Sequence, residues 1–488
     1  MRLSTRKLLD KSFTGLGLFS ILLMCIALIV LLLPIFVNGI GAVIFRETVE
    51  HRRFLYEAEG EGNREKLLQE LRETHEARKP VYAYLDAYER VVMADAPPKP
   101  RQVDDEERKQ LSRDERRQLR RQTKAYEDFI GDNEEVFGKY QEIQELLKNL
   151  FGPRPESADN LLKQPDYVTA HLYGQTRWEG VKKHLKNLLY VETYDYSDPA
   201  VFGAKVMMER KKLYEGTELE PMFDYVEDNI KSMFHPRLTF YAGFFLNEGY
   251  DQHMLGGIWP AILGTFYLTL GAMLIAGPLG VIAAIYFVEY AGDNRFVSFL
   301  RICVSTLAGV PSIVFGLFGL AFLINTVHVS GDKSVLAGSI TLALLILPTV
   351  IRASEEAIKA VPNTYREASM GLGATKWRTV TTVVLPASLG GILTGTIISM
   401  GRAAGETAPI IFTAAVSVGK PIHNILQVFH QPTQALPWSI YNLCAEHQRL
   451  DEIRHVQYGM VMTLILLVLG LNLAAVILRA RISKKLKG

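Results

Sequence analysis

Cysteine is nearly absent. The 488 residues hold only Cys25, Cys303 and Cys444. Three thiols cannot pair completely, and the first two lie inside apolar runs, which argues against a disulfide framework or a zinc site. An excess of charge of one sign is also missing. Lys and Arg number 54 against 52 Asp and Glu, a formal net charge of +2. A nucleic-acid partner held by bulk charge does not fit that balance. No G-x-x-x-x-G-K-[ST] run occurs anywhere. The chain therefore lacks the phosphate-cradling loop that ATP hydrolysis needs, and is expected to carry no nucleotide site, catalytic centre, cofactor or metal of its own.

Long apolar runs are what the sequence has in quantity. An apolar segment of about 20 residues can cross a bilayer as a helix. Six candidates stand out, roughly 16–37, 258–288, 299–325, 335–353, 383–415 and 455–479. The fifth is too long for one straight span and is interrupted by Gly390, Gly391, Gly395, Gly401, Gly405 and Pro409, so it is expected to kink or re-enter. Arg2, Arg6, Lys7 and Lys11 precede the first span as they would a signal peptide. Its length and the lack of an A-x-A site favour an uncleaved anchor. Basic residues cluster on the inner side. They occupy the N-terminus, the loop with Arg295 and Arg301, the loop with Arg352, Lys359, Arg366, Lys376 and Arg378, and the tail from Arg479 to Lys487. One topology satisfies all four, with both termini cytoplasmic. The expected organisation is a cytoplasmic 1–15, a first helix over 16–37, an outer insert over 38–257, a transmembrane domain over 258–480 and a cytoplasmic tail over 481–488. The fold class is all-α and polytopic, with six transmembrane helices and a large, mostly helical insert between helices 1 and 2.

Within the insert, Leu67, Leu68, Leu71, Val81, Leu85, Tyr88 and Val92 recur at helical spacing, with a break expected at Pro80. Residues 101–124 carry 15 charges, nine basic and six acidic. Mixed signs usually mean a solvated face; the sharper alternative is a docking arm for an outer partner. Tyr126, Phe129, Ile130, Val136, Tyr140, Ile143, Leu147 and Leu150 then form one apolar stripe on a single long helix. Tyr190, Val191, Thr193 and Tyr194 suit a short strand. His171, His184 and His235 have no ligand spacing.

The most specific signal lies between the fourth and fifth spans. It is Glu367-Ala368-Ser369-Met370-Gly371-Leu372-Gly373, running on to Leu385-Pro386. Small residues at 368 and 369 let a helix sit close to another surface, and Gly371 and Gly373 allow a tight turn. The run resembles the EAA loop of ATP-binding-cassette importer permeases, with loop limits of 363–386. Ser369 and Val383 depart conservatively from that pattern. The resemblance implies that Glu367, Ala368, Ser369, Gly371, Gly373, Leu385 and Pro386 couple the chain to a separate ATPase.

The second signal is Gly401-Arg402-Ala403-Ala404-Gly405-Glu406-Thr407-Ala408-Pro409 inside an apolar run. A charge at the bilayer centre costs roughly 2.5–3.5 kcal/mol on insertion scales, so it faces a partner or an aqueous path. On a helix, residues four apart share a face, so Arg402 and Glu406 can pair. Two readings compete: a structural salt bridge, or an anion path in which the planar guanidinium fork receives an oxyanion. A helix starting near Pro386 puts Arg402 about 24 Å along, in the outer half of the membrane. This run resembles oxyanion permeases. Its continuation to Ala414, together with Gly309-Val310-Pro311-Ser312-Ile313-Val314-Phe315-Gly316, resembles the phosphate permeases of the PstA type.

That resemblance covers about 258–480 and the first span. It implies an anion path with Arg402, Glu406, Thr407 and Ser312, and residence in a bacterial inner membrane. It implies four kinds of partner: a second homologous permease subunit, an ATP-binding-cassette ATPase dimer, a periplasmic phosphate-binding protein and membrane lipid. ATP would be bound by the ATPase partner. Alternatives are a permease for sulfate or molybdate, or a membrane-anchored sensor with an external ligand domain. The insert's role is left open.

Overall fold

The computed structural model describes residues 3–101, 111–154, 168, 172–195, 204–250, 255–292, 294–416, 422, 424, 427, 430–446 and 450–487. It has two compact units, Ile44–Phe240 and the rest of the chain. The first helix, α1, is Leu3–Ile40. Its most apolar stretch is unburied. It meets its own unit at the far end, where a Cβ on Gly39 would lie 2.9 Å from Met462 Cβ.

The Ile44–Phe240 unit begins and ends on one antiparallel ribbon. Strand β1, Ile44–Glu47, pairs with β4, Arg237–Phe240, with Ile44 opposite Phe240. Between them lie α2 (Val49–Phe54), α3 (Arg64–Val92), α4 (Arg113–Asp132), α5 (Glu134–Phe151), α6 (Trp178–Leu189), the hairpin β2 (Tyr190–Asp195) and β3 (Ala204–Glu209), and α7 (Glu220–Phe234). The strand expected near Tyr190 is β2. The core joins Val81, Leu85 and Tyr88 to Ile143, Leu147 and Leu150, and to Trp178, Phe223, Val226 and Ile230.

Two expectations fail here. Pro80 does not break α3. Leu67, Leu71, Thr74, Arg78, Val81, Leu85 and Tyr88 are buried on both sides of it, and packing of that face outweighs the roughly 3 kcal/mol cost of an interior proline. The stripe from Tyr126 to Leu150 is not one helix. Asn133, at φ −117° and ψ 29°, separates α4 from α5. Gly131, Asp132 and Asn133 are weak helix formers. Tyr140, Ile143, Leu147 and Leu150 are buried on α5, whereas no residue of α4 is buried.

Charge is also buried in this unit. Arg52 Nε donates to Glu70 at 2.8 Å, and Arg237 reaches the same carboxylate at 2.7 Å. Arg78 donates to Glu50 at 3.1 Å and to the Met233 carbonyl at 2.8 Å, its guanidinium over the Phe234 ring. His51 Nδ1 lies 3.0 Å from Glu47 Oε2. Burial pushes the His51 imidazole below its ordinary value, with Arg177 and Arg52 acting in the same sense against Glu47. His184 lies on α6 and His235 ends α7, while His171 falls outside the described residues. Among the described residues no His, Cys, Asp and Glu group could hold a metal.

The membrane unit continues with α8 (Trp259–Ile285), α9 (Arg295–Ala308), α10 (Ser312–Phe318), α11 (Val335–Lys359), α12 (Asn363–Gly371), α13 (Lys376–Thr379), α14 (Leu385–Gly405), α15 (Ala408–Thr413), α16 (Leu436–Ala445) and α17 (Leu450–Lys487). Among the described residues, five stretches are long and apolar enough to cross a membrane: Ser12–Ile40, Trp259–Tyr290, Val335–Lys359, Lys376–Gly405 and Ile453–Ile482. The candidate span over 299–325 is a bent pair, Arg295–Ala308 and Ser312–Ile324, meeting at 101°. Pro311 has an extended ψ of 139° and cannot continue α9. The run 383–415 likewise divides at Gly405, and α15 begins with a proline in its first turn, where the missing N–H costs nothing.

Small residues hold these helices together. A Cβ on Gly395 would fall 2.2 Å from that of Ala353, and one on Gly391 2.6 Å from that of Ala357. Close approach of this kind drives helix association where lipid removes the hydrophobic gain. The two contacts also fix an antiparallel register between α14 and α11. Carried forward, it sets Arg402 level with about residue 346, near the middle of Val335–Lys359. Gly401 independently faces Val468 and Asn472, midway along the last span. On its own apolar stretch, Lys376–Gly405, Arg402 lies three residues before the end.

Candidate functional site

The first cluster is the turn between α11 and α14. After Lys359 the chain reaches Pro362, which cannot prolong α11 but opens α12. Glu367, Ala368, Ser369 and Gly371 lie on α12. Of the two glycines, only Gly373 takes a left-handed conformation, at φ +85°, while Gly371 ends the helix. Thr375 then caps α13, accepting from the Arg378 amide. A π-helical turn over Val380–Val384 leads into Leu385 and Pro386.

Polar contacts stiffen this elbow. Arg366 donates to the Ile358 carbonyl at 2.9 Å, the Val361 carbonyl at 2.6 Å and Glu289 Oε1 at 2.9 Å. One side chain thus ties α12 to the end of α11 and to the turn that follows α8. The Ser369 and Thr379 hydroxyls meet at 2.9 Å across the turn. Lys376 sits 5.3 Å from the centre of the Tyr290 ring. Glu367 and Ala368 point to solvent. So do large apolar groups: Leu372 is 90% exposed and Trp377 65%, with Tyr365 and Met370 about half exposed. Sequence reasoning counted Arg366 only as a basic loop residue and did not single out Glu289, Tyr365 or Trp377. The unexpected polar residue at 369 was a signal for the Ser369–Thr379 contact.

The second cluster is the break after α14. Arg402 lies in the last turn, and Glu406 follows the helix in an extended conformation at φ −77° and ψ 121°. The two do not share a helix, but they pair, with Arg402 Nε donating to Glu406 Oε1 at 3.3 Å. The guanidinium side chain is 45% exposed and the carboxylate 22%. Thr407 precedes α15, and Ser312 is the first residue of α10. The fold brings these two short helices together. A Cβ on Gly316 would lie 2.9 Å from Pro409 Cα and 3.0 Å from the Ala408 carbonyl. Gly319 fits against Thr341 and Thr413, and Phe315, Ile410, Ala403 and Ala414 share one core. Gly401 admits close packing, whereas Gly405 has nothing near it. The two clusters stay apart: 17 residues of helix separate Leu385 from Arg402, about 26 Å.

Long apolar helices joined by broken segments, with a charge pair at one break, fit an integral-membrane protein. Residues 276–488 match the binding-protein-dependent transport system inner membrane components. The chain is 38% identical over 229 residues to phosphate transport system permease protein PstA 1 of Mycobacterium tuberculosis, spanning 47% of this chain and 72% of the relative. It is 34% identical over 240 residues to the probable ABC transporter permease protein YqgI of Bacillus subtilis, covering 47% and 80%. The chain belongs to this family of ABC importer permeases, among those of the PstA type. Among solved structures, the inward-facing MetNI methionine ABC transporter aligns with 46% of this chain and 94% of its own at 18% identity and a TM-score of 0.36.

Proposed function

We propose that this chain is the permease subunit of an ATP-driven importer of inorganic phosphate in a bacterial inner membrane, with both termini cytoplasmic and the insert in the periplasm. One observation carries the reading. Arg402 is half exposed at the end of a membrane-length apolar helix, beside a helix break, and its side chain bonds Glu406 at 3.3 Å. An exposed charge inside an apolar run needs either an aqueous path or a second protein wall. A path between this chain and a homologous second permease supplies both, with lipid around the apolar exterior. Irregular backbone at membrane depth is tolerated where it lines such a cavity. The remaining guanidinium N–H groups suit two oxygens of one oxyanion. Thr407 and Ser312, on the short segments beside the pair, are offered as hydroxyl donors along the route. Sulfate and molybdate share this chemistry; similarity to phosphate permeases favours phosphate.

Coupling is assigned to the elbow. Tyr365, Met370, Leu372 and Trp377 are all exposed on the elbow that carries Glu367, and exposed apolar groups of this size suit a protein partner. An ATPase dimer would bind ATP and press there. Gly373 and the Arg366 contacts make the elbow rigid enough to pass that motion to α14. A periplasmic phosphate-binding protein would deliver the anion. The test is ATP hydrolysis by the complex reconstituted with its ATPase. The expected result is stimulation by phosphate-loaded binding protein and none by a sulfate-loaded one. Hydrolysis indifferent to both would refute the proposal, as would failure to co-purify with an ATPase.

A further inference from the structure

The ribbon that opens and closes the Ile44–Phe240 unit has two faces of opposite character. Phe45 and Glu47 point inward and are buried. The Arg177 guanidinium lies 3.6 Å from the centre of the Phe45 ring, and Glu47 takes the His51 and Arg52 contacts. Side chains alternate along a strand, so Ile44 and Arg46 point the other way. Ile44 pairs with Phe240 and Arg46 with Leu238, and cross-strand partners share a face. These four residues therefore make one outward patch. Leu238 is 74% exposed, Phe240 69% and Ile44 46%, and Arg46 is exposed beside them.

The outward face of an antiparallel ribbon ordinarily carries polar groups, because it meets water. Single exposed hydrophobics are normal on a protein surface, whereas three large ones side by side mark a contact. Their place in the chain says what covers them. The apolar stretch Ser12–Ile40 has 29 residues, about 43 Å of helix, the thickness of a bilayer with its headgroup layers. An upright helix of that length ends at headgroup level. Ile44 is four residues beyond Ile40, a reach of at most about 14 Å. The Ala42 amide donates to the Gly39 carbonyl and the Val43 amide to the Ile40 carbonyl, both at 2.9 Å, which folds that link into a turn. Ile44 and its partner Phe240 are thus held within reach of the lipid surface. Arg46 completes the chemistry. Its stem can lie along apolar neighbours while the guanidinium fork takes a phosphate.

The geometry points to this patch as a lipid-binding face. Ile44, Leu238 and Phe240 seat in the leaflet at the Ile40 end of α1, and Arg46 bonds the phosphate of a phospholipid headgroup. Interfacial binding of this kind grows with the apolar area buried and with attraction to anionic lipid. It anchors β1 and β4, the two ends of the insert, at the membrane surface. The proposal rests on the reading that α1 spans the bilayer.

The test uses the full chain in its transport complex, in nanodiscs of phosphatidylcholine and phosphatidylglycerol, with Cys25→Ser, Cys303→Ser and Cys444→Ser removing the native thiols. A nitroxide is attached singly through Leu238→Cys, Phe240→Cys, Val206→Cys or Leu28→Cys. Collision with oxygen, which concentrates in hydrocarbon, is compared with collision with a water-soluble nickel chelate. Val206, 43% exposed on β3, serves as the water reference, and Leu28, 56% exposed on α1, as the bilayer reference. The expected oxygen-to-nickel ratio at positions 238 and 240 is several-fold above that at 206. Arg46→Gln is expected to lower the ratio at 240 and to remove its rise with phosphatidylglycerol content; no change overturns the headgroup bond. A ratio at 238 and 240 equal to that at 206, with position 28 shielded from nickel, overturns the patch proposal alone. Labels sheltered from both reagents show a protein covering the patch and overturn it equally. A water-like label at position 28 overturns the spanning reading as well.

Discussion

Arg402 and Glu406 separate a structural salt bridge from an anion path by experiment. If the pair merely neutralises charge, replacing both with Ala restores transport more nearly than replacing one. If Arg402 receives the anion, the double variant stays inactive although inserted and bound to its ATPase. Arg402→Ala is expected to lower uptake roughly 30-fold or more, the equivalent of about 2 kcal/mol. Arg402→Lys keeps the charge but loses the planar fork, and should transport poorly without unfolding. Glu406→Gln weakens the hold on the empty guanidinium, and uncoupled ATP use should rise. At Gly373 the issue is backbone. A β-branched residue at φ +85° is strained by about 1–3 kcal/mol. Gly373→Val should cut uptake while insertion persists, whereas Gly371→Ala, at an unstrained helix end with open space around it, should be mild. Vesicle uptake set beside membrane yield distinguishes these results.

Elements show where local pattern was enough and where it was not. The apolar runs marked every membrane-length helix because a bilayer imposes length and polarity together. Pro80 read as a break because proline disfavours helix interiors, but the helix face that carries Val81 and Leu85 is buried against α5 and α7. Pro311 divides a run whose hydropathy is continuous, since apolarity carries no record of backbone direction, whereas the break after Gly405 was expected from the glycines and Pro409 of its run. The tight turn at Gly373 was legible from its glycine. The contact of Arg366 with Glu289, 77 positions away, was not. Nor was the pairing of Arg78 with Glu50 inside the insert. Arg78→Ala leaves Glu50 buried without its partner and is expected to destabilise the insert by about 3–5 kcal/mol, readable as lower resistance to proteolysis. Acid should act similarly through His51. Its folded pKa is depressed by burial, so the unfolded chain takes up the proton first. The stability it contributes is present above about pH 6.5 and is lost as pH falls below that. His51→Asn should flatten this part of the insert's melting profile between pH 7 and 5.

For the whole molecule, the insert and the transport unit make separable demands. Ile44 and Phe240 are cross-strand partners, so the insert's two ends lie about 5 Å apart. Replacing 45–239 with a short flexible linker is therefore expected to leave a permease that inserts and binds its ATPase, with delivery by the binding protein impaired. Degradation of the entire complex would show instead that the insert has a structural role. The most direct measurement of the central claim is uptake of labelled phosphate into vesicles containing the reconstituted complex, with ATP inside the ATPase-bearing compartment and binding protein outside. The account predicts ATP-dependent accumulation that excess unlabelled phosphate abolishes, sulfate leaves intact and the Arg402→Ala/Glu406→Ala variant lacks. Accumulation of sulfate in preference to phosphate, or full phosphate uptake by the double variant, would contradict it.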